Sequence, residues 1–221
     1  LLDGKFYKRG RIMLIRVMLT VLFIFSMSNA VIRTWNSAGS TDINDGANYT
    51  GSGSLLITDE LIFDGTSVVS ASATGDLDIA SLVITSSYSG ATSFEGHTIV
   101  CETGSFLIDG TGTLHLGNGI TLVSNSVTFH IGTGVGTTTG SSSILTMNGT
   151  GCIIDIDKNI TIKNITIGNG ASVTNSGSST FSITGIITPL IIGSSASFTI
   201  NTGLRFYLIG SDPFWSLGSG Y

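Results

Sequence analysis

Charge is scarce in this chain. Asp, Glu, Lys and Arg make up 10% of its 221 residues, against about 25% in an ordinary globular protein. Disorder would require low hydrophobicity together with high net charge, and 41% of the residues are hydrophobic, so that class is excluded. Positive charge is the scarcest kind. From Val31 onward only Arg33, Lys158, Lys163 and Arg205 stand against thirteen carboxylates, a balance near −9. Nucleic-acid binding needs a basic patch for phosphate contacts, so no nucleic-acid partner is expected. Cysteine occurs twice and histidine three times. Isolated Cys101 and Cys152 with His97, His115 and His130 do not make a zinc motif, and neither a metal nor a cofactor is expected. Three motifs are also missing: the Gly-Lys-Ser/Thr phosphate loop, the Gly-x-Ser-x-Gly nucleophile elbow between strand and helix, and the Gly-Gly-x-Gly-x-Asp calcium series. Proline occurs only twice, and few long helix formers follow residue 30.

Long hydrophobic runs are limited to one. Lys8, Arg9 and Arg11 precede the apolar run from Ile12 to Phe25, and small residues follow at Ser28 and Ala30. This is the form of a secretory signal peptide cleaved after Ala30. The run is shorter than the roughly 20 residues of a membrane span, and Arg16 interrupts it. Residues 1–30 are therefore expected to be a signal peptide, with Met13 an alternative start that leaves 1–12 upstream. The mature part is expected to be secreted or at the cell surface, without a membrane span.

What is plentiful is Gly, 30 residues in all, alongside Ser, Thr, Asn and β-branched apolar residues. The clearest pattern runs from Cys152 to Gly170. Ile154, Ile156, Ile160, Ile162, Ile165 and Ile167 alternate with Asp, Thr or Lys, which predicts short strands with one buried face. Similar segments recur. One ladder of apolar positions passes through Phe63, Ile84, Ile108, Phe129 and Ile154. A second passes through Leu77, Ile99, Leu122, Leu145, Ile167, Ile187 and Phe206. Neighbours in each are 19 to 25 residues apart. Asp64-Gly65 and Asp109-Gly110 follow similar apolar pairs, which marks a repeated corner. A period of that size indicates a repeat architecture. The expected fold is an all-β, single-domain parallel β-helix (β-solenoid) of about 22 residues per rung and about seven to eight rungs. Corners are supplied by Gly and Asn, and Asn125, Asn148, Asn164 and Asn169 are candidates for stacked polar ladders. The Gly/Thr/Ser stretch Thr133–Ser143 is expected to loop out of one corner. Residues 55–210 form the repeats, 31–54 an N-terminal cap, and 211–221 a C-terminal cap or a truncated continuation, with Phe214 and Trp215 over the last rung. Stacked strands lie about 4.8 Å apart, so two cysteines roughly two rungs apart are too distant to bridge and are read as small core residues.

Trp35, the polar stretch after it and Asn48-Tyr49 resemble the opening of secreted right-handed β-helix proteins of the adhesin and autotransporter-passenger type. Those open with a Trp, a polar loop, an Asn-Trp pair, a Pro and a first strand. Here Tyr49 replaces the second Trp and the Pro is absent. The resemblance implies a right-handed coil and a structural or adhesive surface role, with glycans or other proteins as partners.

Pectin-lyase-like enzymes share that fold class, so chemistry must be weighed. Glycoside hydrolysis needs two convergent carboxylates, and lyase chemistry needs carboxylates for a cation and a basic side chain. Asp155 and Asp157, with Lys163 and Lys158 nearby, are the best-placed catalytic candidates. Asp76 with Asp78 forms a similar pair, and Asp59-Glu60 reads as a turn. Strand alternation alone puts such carboxylates on a solvated outer face. Ice binding would need Thr-x-Thr in register on successive rungs, and only Thr111/Thr113 forms such a pair. The expectation is thus a non-catalytic surface solenoid. The alternative is a carbohydrate-active lyase or hydrolase using Asp155 and Asp157. A viral spike or fibre segment is a further alternative, which the signal peptide opposes.

Overall fold

The computed structural model describes residues 31–51, 53–185, 190–200, 205–208 and 215–217. The expected signal peptide, Ile187 and Phe214 lie outside these residues. Val31–Tyr221 forms one compact unit. No helix among the described residues is long and apolar enough to cross a membrane.

The unit is an all-β parallel solenoid. Its first face has eight strands, hydrogen-bonded in chain order: β1 (Ile32–Thr34), β2 (Glu60–Phe63), β5 (Ser81–Ile84), β8 (Phe106–Ile108), β11 (Thr128–Ile131), β14 (Cys152–Ile156), β17 (Ser172–Ser176) and β20 (Ser197–Ile200). The second face stacks β4 (Leu77–Ile79), β7 (Thr98–Cys101), β10 (Gly119–Leu122), β13 (Ile144–Met147), β16 (Asn164–Ile167), β19 (Leu190–Ile192) and β22 (Trp215–Leu217). A third face is split in two. Its first part is β3 (Ala71–Ser72), β6 (Thr92–Ser93), β9 (Leu114–His115) and β12 (Thr138–Thr139). Its second part is β15 (Ile160–Ile162), β18 (Thr180–Ile183) and β21 (Arg205–Leu208). Each turn contributes one strand to each face. A turn takes about 22 residues, and about six turns separate β2 from β20.

Alternation along each strand aims every second side chain inward, and stacking turns those positions into columns. On the first face one inner column runs Leu61, Leu82, Phe106, Phe129, Ile154 and the buried amide of Asn175, which pairs in turn with Ile200. The next runs Phe63, Ile84, Ile108, Ile131, Ile156. The second face holds Leu77, Ile99, Ile120, Leu145, Ile165, Leu190 and, beside it, Ile79, Cys101, Leu122, Met147, Ile167, Ile192. The sequence ladders therefore cross between columns. Ile108 pairs with Ile131, not Phe129; Ile99 pairs with Ile120, not Leu122; Leu145 pairs with Ile165, not Ile167. Phe206 belongs to the third face, opposite Phe181. A two-residue slip preserves which side faces inward, so core membership survives while partners change.

At several corners an Asn or Asp oxygen accepts a backbone N–H one turn further on. Asn44 takes Thr74 and Gly75, Asp76 takes Thr98, Asn125 takes Thr150, Asp157 takes Ser178, Asn159 takes Thr180 and Asn169 takes Ser194. Of the four candidate Asn residues, Asn125 and Asn169 stitch their turn to the backbone of the next. Close approach of turns also demands glycine. A Cβ at Gly149 would lie 1.9 Å from the Ser124 carbonyl oxygen. Thr133–Ser143 does not loop out: it crosses the third face as β12, with Val135 and Ser143 buried. Both cysteines are free and buried, on different faces.

Ahead of the first full turn, Trp35 is completely buried. It stacks on Phe63 with ring centroids 5.3 Å apart and meets Tyr49 edge-on at 5.2 Å. Its indole N–H donates to the Val69 carbonyl. The turn read at Asp59-Glu60 is not solvated. Asp59 is fully buried and its Oδ2 accepts from Arg33 Nε and the Leu56 N–H, both at 3.0 Å.

Candidate functional site

Two regions of the surface carry chemistry-bearing groups. The first lies on the outer side of the first face, where β11 and β14 are parallel neighbours. Their register sets His130 directly opposite Asp155, and Asp155 opposite Ser176. His130 Nδ1 lies 2.9 Å from Asp155 Oδ2, and the Ser176 hydroxyl donates to Asp155 Oδ1 at 3.1 Å. Asp109, at the corner after β8, places its Oδ1 3.1 Å from His130 Nε2. Asp157, just past β14, accepts from the Ser178 N–H and hydroxyl on its Oδ1. One ligand atom each from His130, Asp155 and Asp157 fall within 4.8 Å of one another. The imidazole side chain is 16% exposed, against 33% for Asp155 and 53% for Asp109.

Of the sequence candidates, the structure brings Asp155 and Asp157 together and leaves Lys163 elsewhere. Lys163 lies between β15 and β16 and lines a separate groove. No Lys or Arg forms an ion pair with Asp109, Asp155 or Asp157 among the described residues. His130 and Asp109 were not foreseen as neighbours of this carboxylate pair. The only sequence signal is that 109, 130 and 155 fall one turn apart. Asp76 meets His97 at 3.8 Å and the Thr98 N–H at 2.7 Å, while Asp78 is exposed on β4.

Nucleophile candidates fare no better. Burial pushes the Cys101 thiol up to about 12, so it stays protonated and inert. Burial likewise pushes the Tyr88 phenol up to about 12, and its hydroxyl donates to the Val69 carbonyl at 2.7 Å.

The second region is a groove of about 580 Å³ between the second and third faces, lined by Ser141, Ser142, Ile144, Lys163, Thr166 and Thr184 among others. A neighbouring hollow of about 310 Å³ shares Ser141 and Ser142 and adds Glu95, His115, Asn118 and Thr139. The shared rim is held from below. Ser143 is buried, and its hydroxyl donates to the Gly117 carbonyl one turn away. On the outer second face Thr121, Thr146 and Thr166 stack in single file on three successive turns. The positions two residues on are Val123, Asn148 and Gly168, so this face has no Thr-x-Thr array.

No protein-family model, curated protein or solved structure matches this chain.

Proposed function

We propose that the chain is a secreted, non-catalytic structural or adhesive solenoid that holds glycan chains or a partner protein along its outer faces. The observation that carries this is the composition of the larger groove. Its lining offers hydroxyls and one ammonium, and among the described residues it contains no carboxylate and no histidine. Such a surface can hydrogen-bond a polar chain but has no acid–base pair to cleave it. The carboxylates that could act, Asp155 and Asp157, sit on a different face and spend oxygens on serine groups. The fold alone names no activity, so the reading rests on the groove.

The full chain is tested on immobilised neutral and acidic polysaccharides, and in parallel for their cleavage. Retention that Lys163→Glu or Thr166→Asp weakens at least tenfold, with no cleavage, supports the reading. Cleavage that disappears in an Asp155→Asn, Asp157→Asn double variant overturns it in favour of a carbohydrate-active enzyme.

A further inference from the structure

The cluster around His130 has the division of labour of a metal-ligating histidine. Such a residue turns one ring nitrogen to the ion and gives its other N–H to a carboxylate, which fixes tautomer and ring orientation. Here Nε2 faces Asp109 Oδ1 at 3.1 Å. With the proton there, the Nδ1 lone pair points at Asp155 Oδ2 2.9 Å away. Two lone pairs at that distance repel unless a proton or a metal ion lies between them. Both other donors are aimed by their own hydrogen bonds: Ser176 holds Asp155 Oδ1, and Ser178 holds Asp157 Oδ1, leaving one oxygen of each carboxylate unclaimed by those serines. The backbone makes room for Asp109 to reach the ring. A Cβ at Gly132 would lie 2.1 Å from Asp109 Oδ1 and 3.1 Å from His130 Nε2. That bare position leaves the space in which the Asp109 carboxylate reaches the imidazole.

We propose that His130 Nδ1, Asp155 and Asp157 bind one divalent transition ion of the Zn²⁺ class, with Asp109 as the positioning residue, and that the ion pins the turn of β11 to the turn of β14. The donor set, one imidazole with carboxylates, suits Zn²⁺ and its neighbours, whereas Ca²⁺ and Mg²⁺ take all-oxygen sites. Zinc bonds of about 2.0–2.2 Å set tetrahedral ligand atoms about 3.4 Å apart. The three donors, within 4.8 Å of one another, close to that by carboxylate rotation. Three protein ligands leave the fourth position to water. Composition pointed away from this site because its members are 21 and 25 residues apart and only stacking joins them.

The test is calorimetric titration of the full, chelator-treated chain with ZnCl₂. Expected are one equivalent bound, a loss of about 100-fold or more in His130→Ala and in Asp155→Asn, and about a 10- to 100-fold loss in Gly132→Ala. His97→Ala, on another corner, should bind as the parent does. Wild-type chain that takes up no saturable Zn²⁺, His130→Ala with unchanged affinity, or displacement of Zn²⁺ by millimolar Ca²⁺ each overturns the proposal. If His130→Ala does not fold, imidazole nitrogen resonances of the parent decide. Zn²⁺ must shift His130 Nδ1 and leave His97 and His115 in place; a spectrum unchanged at His130 overturns the site.

Discussion

Asp59→Asn is expected to remove about 3 kcal/mol of stability, a large loss for a change of one atom. Asp59 is fully buried and the Arg33 side chain is 8% exposed. One oxygen, Asp59 Oδ2, accepts both the Arg33 Nε–H and the Leu56 N–H. Hydrogen bonds to a charged group contribute about 1.5–3 kcal/mol each. Breaking a buried ion pair by removing one charge costs about 3–5 kcal/mol, because the other charge is left without compensation. The amide oxygen of Asn still accepts one bond, which puts this variant at the low end. Arg33→Met removes the other charge and should cost a similar amount. The double variant Arg33→Met, Asp59→Leu should recover much of the loss, since apolar replacements of a buried pair are often neutral, and stay short of the parent by about 1–2 kcal/mol for the Leu56 N–H that loses its acceptor. Urea unfolding followed by circular dichroism measures all three. The pair joins β1 to the start of β2, and a solenoid couples only neighbouring turns. Amide exchange in the single variants should therefore accelerate around β1 and β2 and stay unchanged at β14 and β17. A loss below about 1 kcal/mol in Asp59→Asn, or a double variant as unstable as the two singles combined, would refute the reasoning.

Phe129, buried and stacked on Phe106 with centroids 5.4 Å apart, should cost about 3–5 kcal/mol on change to Ala; a urea-measured loss under about 1 kcal/mol would mean that the column is not packed. Gly149→Ala, which pushes a Cβ against the Ser124 carbonyl, should cost about 1–3 kcal/mol. Gly39→Ala, with nothing within 4 Å of its Cβ, should stay within about 0.5 kcal/mol of the parent; equal losses at the two sites would contradict the stacking distances. Alkaline pH should destabilise the fold, because burial raises the Cys101 thiol and the Tyr49 and Tyr88 phenols above their ordinary values. These groups ionise first in the unfolded chain, so their contribution is intact below about pH 8.5 and declines as pH climbs toward 12. Urea midpoints that stay flat between pH 9 and 11 would count against it.

The fold was legible because a solenoid writes its period into the chain. Alternating Ile from Cys152 to Ile167 marked strands, and recurrence near 22 residues marked turns. The corner shared by Asp64 and Asp109 also emerged correctly, since Phe63, Ile84 and Ile108 align in one column. Asp59 was not legible. A charged residue before a strand reads as a solvated turn unless its partner is known, and Arg33 lies 26 positions away. Thr133–Ser143 misled for a related reason. Gly, Ser and Thr look like loop, yet the turn needs small residues where its backbone runs close to the turns on either side. A Cβ at Gly136 or Gly140 would lie within 3.1 Å of the Thr111 or Thr161 carbonyl oxygen.

The surface cluster was lost at a finer level, that of register. Successive partners on the first face are 21, 24, 23, 25, 21 and 25 residues apart, so no fixed period finds them all. For an inward residue the error is harmless, because one Ile beside another serves almost as well two positions along. For an outward residue the neighbour decides everything. Asp155 set against a leucine is a solvated charge; set against His130 it is half of a pair that Asp109 completes. Parity along the strand is encoded locally, by alternation, and survives any slip of two. Partnership is encoded in the lengths of the corners between, where Gly, Ser and Thr differ little from one another. A repeat protein can therefore disclose its architecture in full and still conceal its chemistry, and the spacing of the turns is where the two part company.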